Sequence, residues 1–136
     1  MSDSPATVGA FMRPATTTVE PDAHVASAAW LMKRANDSAL VVTSDDGRVP
    51  IAVITDADVS QAVADGRNLN DTRINQLHLR RPESVQPGTS VAEAAERMLQ
   101  LKTPHLPVMD DGRLVGLIDM MAVCRALLDE DRSGRP

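Results

Sequence analysis

Thr55 and Asp58, in the stretch IAVITDADVSQAVADG, have types and a spacing that could do chemistry. A threonine closing an apolar run, with a carboxylate three residues on, marks a helix cap in which hydroxyl and carboxylate each accept a backbone N–H. The same pair can hold a ligand. A helix N-terminus presents unpaired N–H groups and a partial positive charge, which suit a phosphate. The threonine hydroxyl adds a donor to a phosphate oxygen, and an ionised aspartate accepts from the two hydroxyls of a ribose. Further along, LVGLIDMMAVCRALLD makes a similar move, but the two positions hold Asp119 and Ala122. Asp119 would cap its helix and oppose a phosphate, because like charges repel. Ala122 offers a ribose nothing.

The sequence offers no comparable catalytic or metal constellation. His24, His78 and His105 are scattered and lack ligand spacing, so no metal site is expected. There is no GxSxG, P-loop or Rossmann glycine pattern, no nucleophile–base pair and no carboxylate dyad, so the chain is not expected to be an enzyme. Asp56 and Asp58 with a bound phosphate could gather Mg²⁺, which leaves slow nucleotide hydrolysis as a minor reading. The single cysteine, Cys124, is expected to be a small buried hydrophobe. Phe11 and Trp30 are the only aromatics, so a planar ligand would pack mostly between aliphatic side chains. A net charge of −5 with no basic run argues against nucleic acid as a partner. No apolar segment has membrane-spanning length, and the start lacks the basic and apolar regions of a signal peptide, so cytoplasmic residence is the default expectation.

The elements that must position the two turns are written twice. TVEPDAHVASAAWLMKRANDSALVV (18–42) matches SVQPGTSVAEAAERMLQLKTPHLPV (84–108) at a constant spacing of 66 residues, which falls to 64 after the turns SDDGR and DDGR. Each copy reads strand–helix–strand–strand–helix. Asp22 or Ser90 can cap the first helix, and Ser90 with Glu93 has the capping-box spacing. Val25, Ala28, Ala29 and Met32, like Val91, Ala94, Ala95 and Met98, form one apolar stripe. The strand pairs ALVVT/IAVIT and HLPVM/LVGLID flank Asp-Gly turns of hairpin type. The closing helices are expected at about 56–65 and 120–129. Short lead-ins, TVGAFMRP and TRINQLHLRRP, could each form one helical turn. The organisation is therefore a first repeat at 8–66, a linker at 67–73, a second repeat at 74–129 and a frayed tail at 130–136.

The pattern carried by FMRP, TTTVEPDAHVASAAWLM, DDGRVPIAVITDAD, SVQPGTSVAEAAERML and HLPVMDDGRLVGLID resembles the CBS domain, and two in tandem resemble a Bateman module. The resemblance implies an α/β (α+β) fold of two pseudo-twofold-related β-α-β-β-α repeats packed through their sheets, in a stand-alone module. It also implies that the turn G-h-h-[ST]-x-x-D of one repeat binds the sugar-phosphate end of an adenine nucleotide while facing the central strand region of the other. Ala52 replaces the usual glycine in the first copy. On this view Thr55 and Asp58, with Val53, Ile54 and Ala57 around them, face LKTPHLPV. There Lys102 and His105 stand at basic phosphate positions, and Leu106 and Pro107 line the adenine slot. The opposite pairing has Asn36 and Ala39 at the basic positions and no proline. Two half-sites suit each other and the other two do not. Lys102 and His105 also have plain readings, as a solvated lysine at a helix end and as a core or edge histidine. Arg13, Arg80 and Arg81 flank the lead-ins and are expected to be solvated, although they could reach a phosphate.

Trp30 and Leu31 correspond to Glu96 and Arg97, so they are expected to point outward as an interface patch. The resemblance implies homodimers formed through these helices. The expected function is a regulatory module that senses an adenosine-containing ligand, with AMP ahead of ADP, ATP or S-adenosylmethionine, one site per chain. It would signal to an unidentified partner through lobe or dimer rearrangement. The alternative is a dimerisation scaffold with a vestigial pocket.

Overall fold

A helix with one apolar stripe and a hairpin with one apolar face can bury those surfaces only against each other, and the sequence supplies this combination twice. The computed structural model describes residues 5–79 and 81–133. The elements run α1 (Val8–Phe11), β1 (Arg13–Pro14), β2 (Thr18–Val19), α2 (Val25–Ala35), β3 (Ala39–Thr43), β4 (Pro50–Thr55), α3 (Asp56–Ala64), a 3₁₀ turn (Ile74–Gln76), α4 (Val91–Leu101), β5 (His105–Asp110), β6 (Arg113–Asp119) and α5 (Met120–Ser133). Two compact units result, an α+β arrangement in each.

The first-repeat unit holds residues 15–82. Its sheet has the order β2-β3-β4, with β2 parallel and β4 antiparallel to β3, and Ala39 opposite Thr55. Val25, Ala28 and Met32 of α2 meet Leu40, Val42, Ala52 and Ile54 in one buried cluster. The second-repeat unit holds the chain up to Pro14 together with the chain from Glu83 onward. Its sheet has the order β1-β6-β5, and Ala94 and Met98 of α4 bury against Leu106, Val108 and Ile118. The β5–β6 turn places Asp111 and Gly112 at φ 52° and 76°, the left-handed pair that a tight hairpin requires.

Both lead-ins are exchanged between the repeats. Val8, expected in the first repeat, is fully buried in the core of the second, and Ile74 is buried in the core of the first. The hydrogen bonds repeat at the same spacing. Val25 N–H donates to Thr72 O (2.8 Å) as Val91 N–H donates to Ala6 O (3.0 Å). Ile74 N–H donates to Ala23 O (2.9 Å) as Val8 N–H donates to Thr89 O (2.8 Å). The first helix of each repeat therefore starts on a carbonyl at the start of a lead-in segment or next to it.

This changes several expectations. Asp22 does not cap α2. His24 holds the cap position without a side-chain bond, and the orphan N–H groups of Val25 and Ala26 go to Thr72 and Leu69 carbonyls. Thr72, in the expected polar linker, is buried and donates to Asn68 O. Ser90 does cap α4, accepting from Glu93 N–H. The opening strand of the second repeat shrinks to one parallel bridge, Val85 with Val108. The next ladder bond would need an N–H at Pro107, which proline lacks. Helix α5 continues to Ser133, four residues past the expected end and into the expected tail, while residues 134–136 lie outside the described residues. Cys124 is exposed, because α5 buries Val123 and Ala126 and its neighbour turns outward.

Gly116, the counterpart of Ala52, lies opposite Pro14 in the β1–β6 pairing. A Cβ there would sit 2.6 Å from Met12 Sδ and 2.7 Å from the Arg13 carbonyl oxygen. Gly116→Ala is expected to cost about 1–3 kcal/mol in chemical denaturation by overpacking. Ile74→Ala is expected to cost about 2–5 kcal/mol, as for a core residue; a loss under about 0.5 kcal/mol would show that the lead-in is not core.

Candidate functional site

At the β4–α3 turn the capping box is complete. Thr55 Oγ1 accepts Asp58 N–H at 3.2 Å, and Asp58 Oδ2 accepts Thr55 N–H at 2.8 Å. Thr55 Oγ1 also lies 2.9 Å from Asp58 Oδ2. A carboxylate only accepts, so the hydroxyl proton points at Asp58. A phosphate contact from Thr55 therefore needs that proton to turn away. Asp56 N–H is taken by Ser38 O at 2.9 Å. Ala57 N–H, lacking an intrahelical acceptor, is the donor left open in the first turn among the described residues. Both hydrogen bonds to Asp58 use Oδ2, which leaves Oδ1 for an outside donor such as a ribose hydroxyl.

The twin turn is built alike and closed. Met120 N–H donates to Pro104 O at 2.8 Å, matching Asp56 with Ser38. Asp119 Oδ1 accepts Ala122 N–H at 2.8 Å, and Asp119 Oδ2 lies 3.6 Å from Arg13 Nη2. The aspartate is thus both helix cap and ion-pair partner. Arg13, expected to be solvated, is engaged within its own unit, and Arg80 lies outside the described residues.

The remaining candidates divide by strand alternation. Ile54 and Leu106 point into the helix-side cores and are essentially inaccessible, so their side chains cannot line a ligand slot. Val53 is half-buried on the face away from that core. His105 and Pro107, flanking Leu106, are buried without belonging to the helix-side cluster. Lys102 is exposed and holds the left-handed cap of α4 at φ 55°, as Asn36 does for α2 at φ 56°. Asparagine tolerates that conformation, whereas lysine adopts it at a cost of about 1 kcal/mol. Trp30 is 58% exposed with Arg34 stacked 5.3 Å from its ring centroid. Leu31, expected beside it, instead packs against the core. No cluster of three metal-ligating side chains exists among the described residues, and none of their helices is long and apolar enough to cross a membrane.

Reading residues missed one feature of the first-repeat unit. A cavity of about 540 Å³ opens beside the hairpin end of β4, lined by Val42, Ile51, Ala52, Leu77, Leu79 and Arg81 among others. The signal available in the sequence was the repeated Arg-Pro pair, Arg13-Pro14 and Arg81-Pro82.

A family model described as the CBS domain matches residues 8–65 and again 74–129. An uncharacterized 17.7 kDa protein of Acidianus ambivalens is 33% identical over 112 residues, covering 82% of this chain and 66% of that protein. The CBS domain-containing protein CBSCBSPB5 of Arabidopsis thaliana is 31% identical over 83 residues, which is 60% of this chain and only 15% of the plant protein. Among solved structures, CBSX2 in complex with AMP aligns with a TM-score of 0.73 at 28% identity, covering 93% of this chain and 99% of that one.

The closed box makes Thr55 a stability residue whatever it binds. Thr55→Ala is expected to cost about 1 kcal/mol in a denaturant titration. Arg13→Ala removes a partly exposed ion pair and is expected to cost at most about 1 kcal/mol.

Proposed function

We propose, for a chain that belongs to the CBS domain family as a tandem pair, that it is a regulatory module binding an adenosine-containing nucleotide at the Thr55–Asp58 turn. The observation that carries this is the contrast between the two turns. One has an uncharged Thr55 and an Asp58 with an accepting oxygen to spare. The other is filled by a carboxylate whose two oxygens are both engaged. Asp58 takes the ribose hydroxyls, and the helix terminus takes the phosphate. The family's repeat arrangement assigns Lys102, His105 and Pro107 of the second repeat to the same ligand. The strained backbone of Lys102 supports a role for its ammonium, since such strain concentrates at functional positions. AMP is the favoured ligand because cations near the turn are few, and the AMP complex of CBSX2 supports the choice. ADP, ATP and S-adenosylmethionine are the competitors, with Mg²⁺ entering only alongside a polyphosphate. Binding would bias repeat packing or a homodimer contact read by a regulated protein, with no catalytic step.

A second reading, an interaction scaffold with an idle pocket, is favoured by the exposed Trp30 and by the exposed Met121, Cys124 and Leu128 along one face of α5. It expects Trp30→Glu to abolish a dimer in sedimentation while Asp58→Ala has no effect on function.

Isothermal titration separates the readings. AMP should bind the wild-type protein, Asp58→Ala should weaken it at least about tenfold, and Asp119→Ala should leave it unchanged. Absence of heat with AMP, ADP and ATP would exclude the sensor reading. Lys102→Asn is expected to raise stability by up to about 1 kcal/mol while lowering AMP affinity.

A further inference from the structure

Neither the caps nor the cores account for Arg81. Its counterpart, Arg13, shows what such an arginine does when its slot is filled. In the second-repeat unit β1 pairs with β6, Arg13 opposite Leu117, and the guanidinium reaches along β6 to the Asp119 carboxylate. An arginine from a lead-in thus meets an anion at a strand–helix turn, and the anion belongs to the protein.

Three things change together in the first-repeat unit. The counterpart of Asp119 is Thr55, which carries no charge. Among the described residues the sheet ends at β4, with no strand in the place that β1 takes beside β6. The cavity of about 540 Å³ opens there instead, a volume in the range of small-molecule sites. Arg81 is the one charged residue among those lining it; the rest are apolar apart from Asn75. No carboxylate lies within ion-pair distance of Arg81 among the described residues.

We infer that Arg81 is the cation that holds the ligand's phosphate, a removable anion taking the part that Asp119 plays for Arg13. The inference rests on the nucleotide reading above and deepens it, by assigning phosphate dependence to a residue outside the Thr-x-x-Asp turn. Arg13 spans two residues of β6, about 7 Å, to reach its carboxylate. From the cavity wall at Ala52, Thr55 lies three residues along β4, about 10 Å. Arg81 shares that cavity with Ala52, and a phosphate bound between them and the turn would span what the side chain leaves of the interval. Arg13 is already committed to Asp119, so the two arginines are not interchangeable although their sequence settings match.

The test is isothermal titration of the full chain with AMP and, separately, with adenosine, which lacks the anion. Arg81→Ala is expected to weaken AMP on the order of tenfold and leave adenosine unchanged. Arg81→Lys should recover part of the loss, because the charge remains while the planar fork is gone. Arg13→Ala should alter neither affinity. Unchanged AMP affinity in Arg81→Ala, or an equal loss for AMP and adenosine, would overturn the inference while the nucleotide reading stands. Failure of the wild-type protein to bind either compound would overturn both.

Discussion

The exchange of lead-ins is the constraint on which the rest of the structure depends. A helix that starts inside a fold needs acceptors for its first N–H groups, and α2 and α4 carry no side-chain acceptor for theirs beyond Ser90. The carbonyls of Thr72, Leu69 and Ala6 fill that need, the first from the start of a lead-in and the other two from the residues just before one. The same segments insert Ile74 and Val8, both essentially inaccessible, into the two cores. Each repeat core is therefore completed by the lead-in that precedes the other repeat. A repeat cut out at the boundaries of its own sequence pattern would lose a core residue and the start of its first helix together.

The same exchange makes the two strand–helix turns unequal. The first lead-in runs as a strand beside β6, close enough that position 116 must be glycine, and it delivers Arg13 to Asp119. No described residue of the second lead-in pairs with β4, and alanine is accommodated at position 52. One turn is thereby closed by strand, ion pair and cap. The other keeps an uncharged cap residue, a spare carboxylate oxygen and a neighbouring cavity. Duplication supplied two similar frames, and a few substitutions put a paired carboxylate at the cap of one turn and an uncharged threonine at the other.

Much of this was legible in the residues because it is encoded locally. Helix stripes at Val25, Ala28 and Met32, the alternation in β4 and the Thr-x-x-Asp box are short-range patterns, and duplication states each of them twice. What escaped is non-local. Nothing in TVGAFMRP says that Val8 packs under α4, since a lone valine before glycine carries no address. Strand alternation places Ile54 and Leu106 in the cores, although their neighbours in sequence are the ligand candidates. Leu31 was read outward from its partner Arg97, but a half-buried apolar side chain at the edge of a stripe is free to fold onto the core. Cys124 illustrates the opposite error, a small apolar residue one step round the helix from the buried face.

The central claim is that one turn is open and its twin is shut, and amide chemical shifts read it most directly. In a ¹⁵N–¹H titration with AMP, the Ala57 amide should move and saturate at one ligand per chain. The Met121 amide, at the same place in the twin turn, should stay still. Equal movement of both resonances, or movement of Met121 alone, would contradict the account.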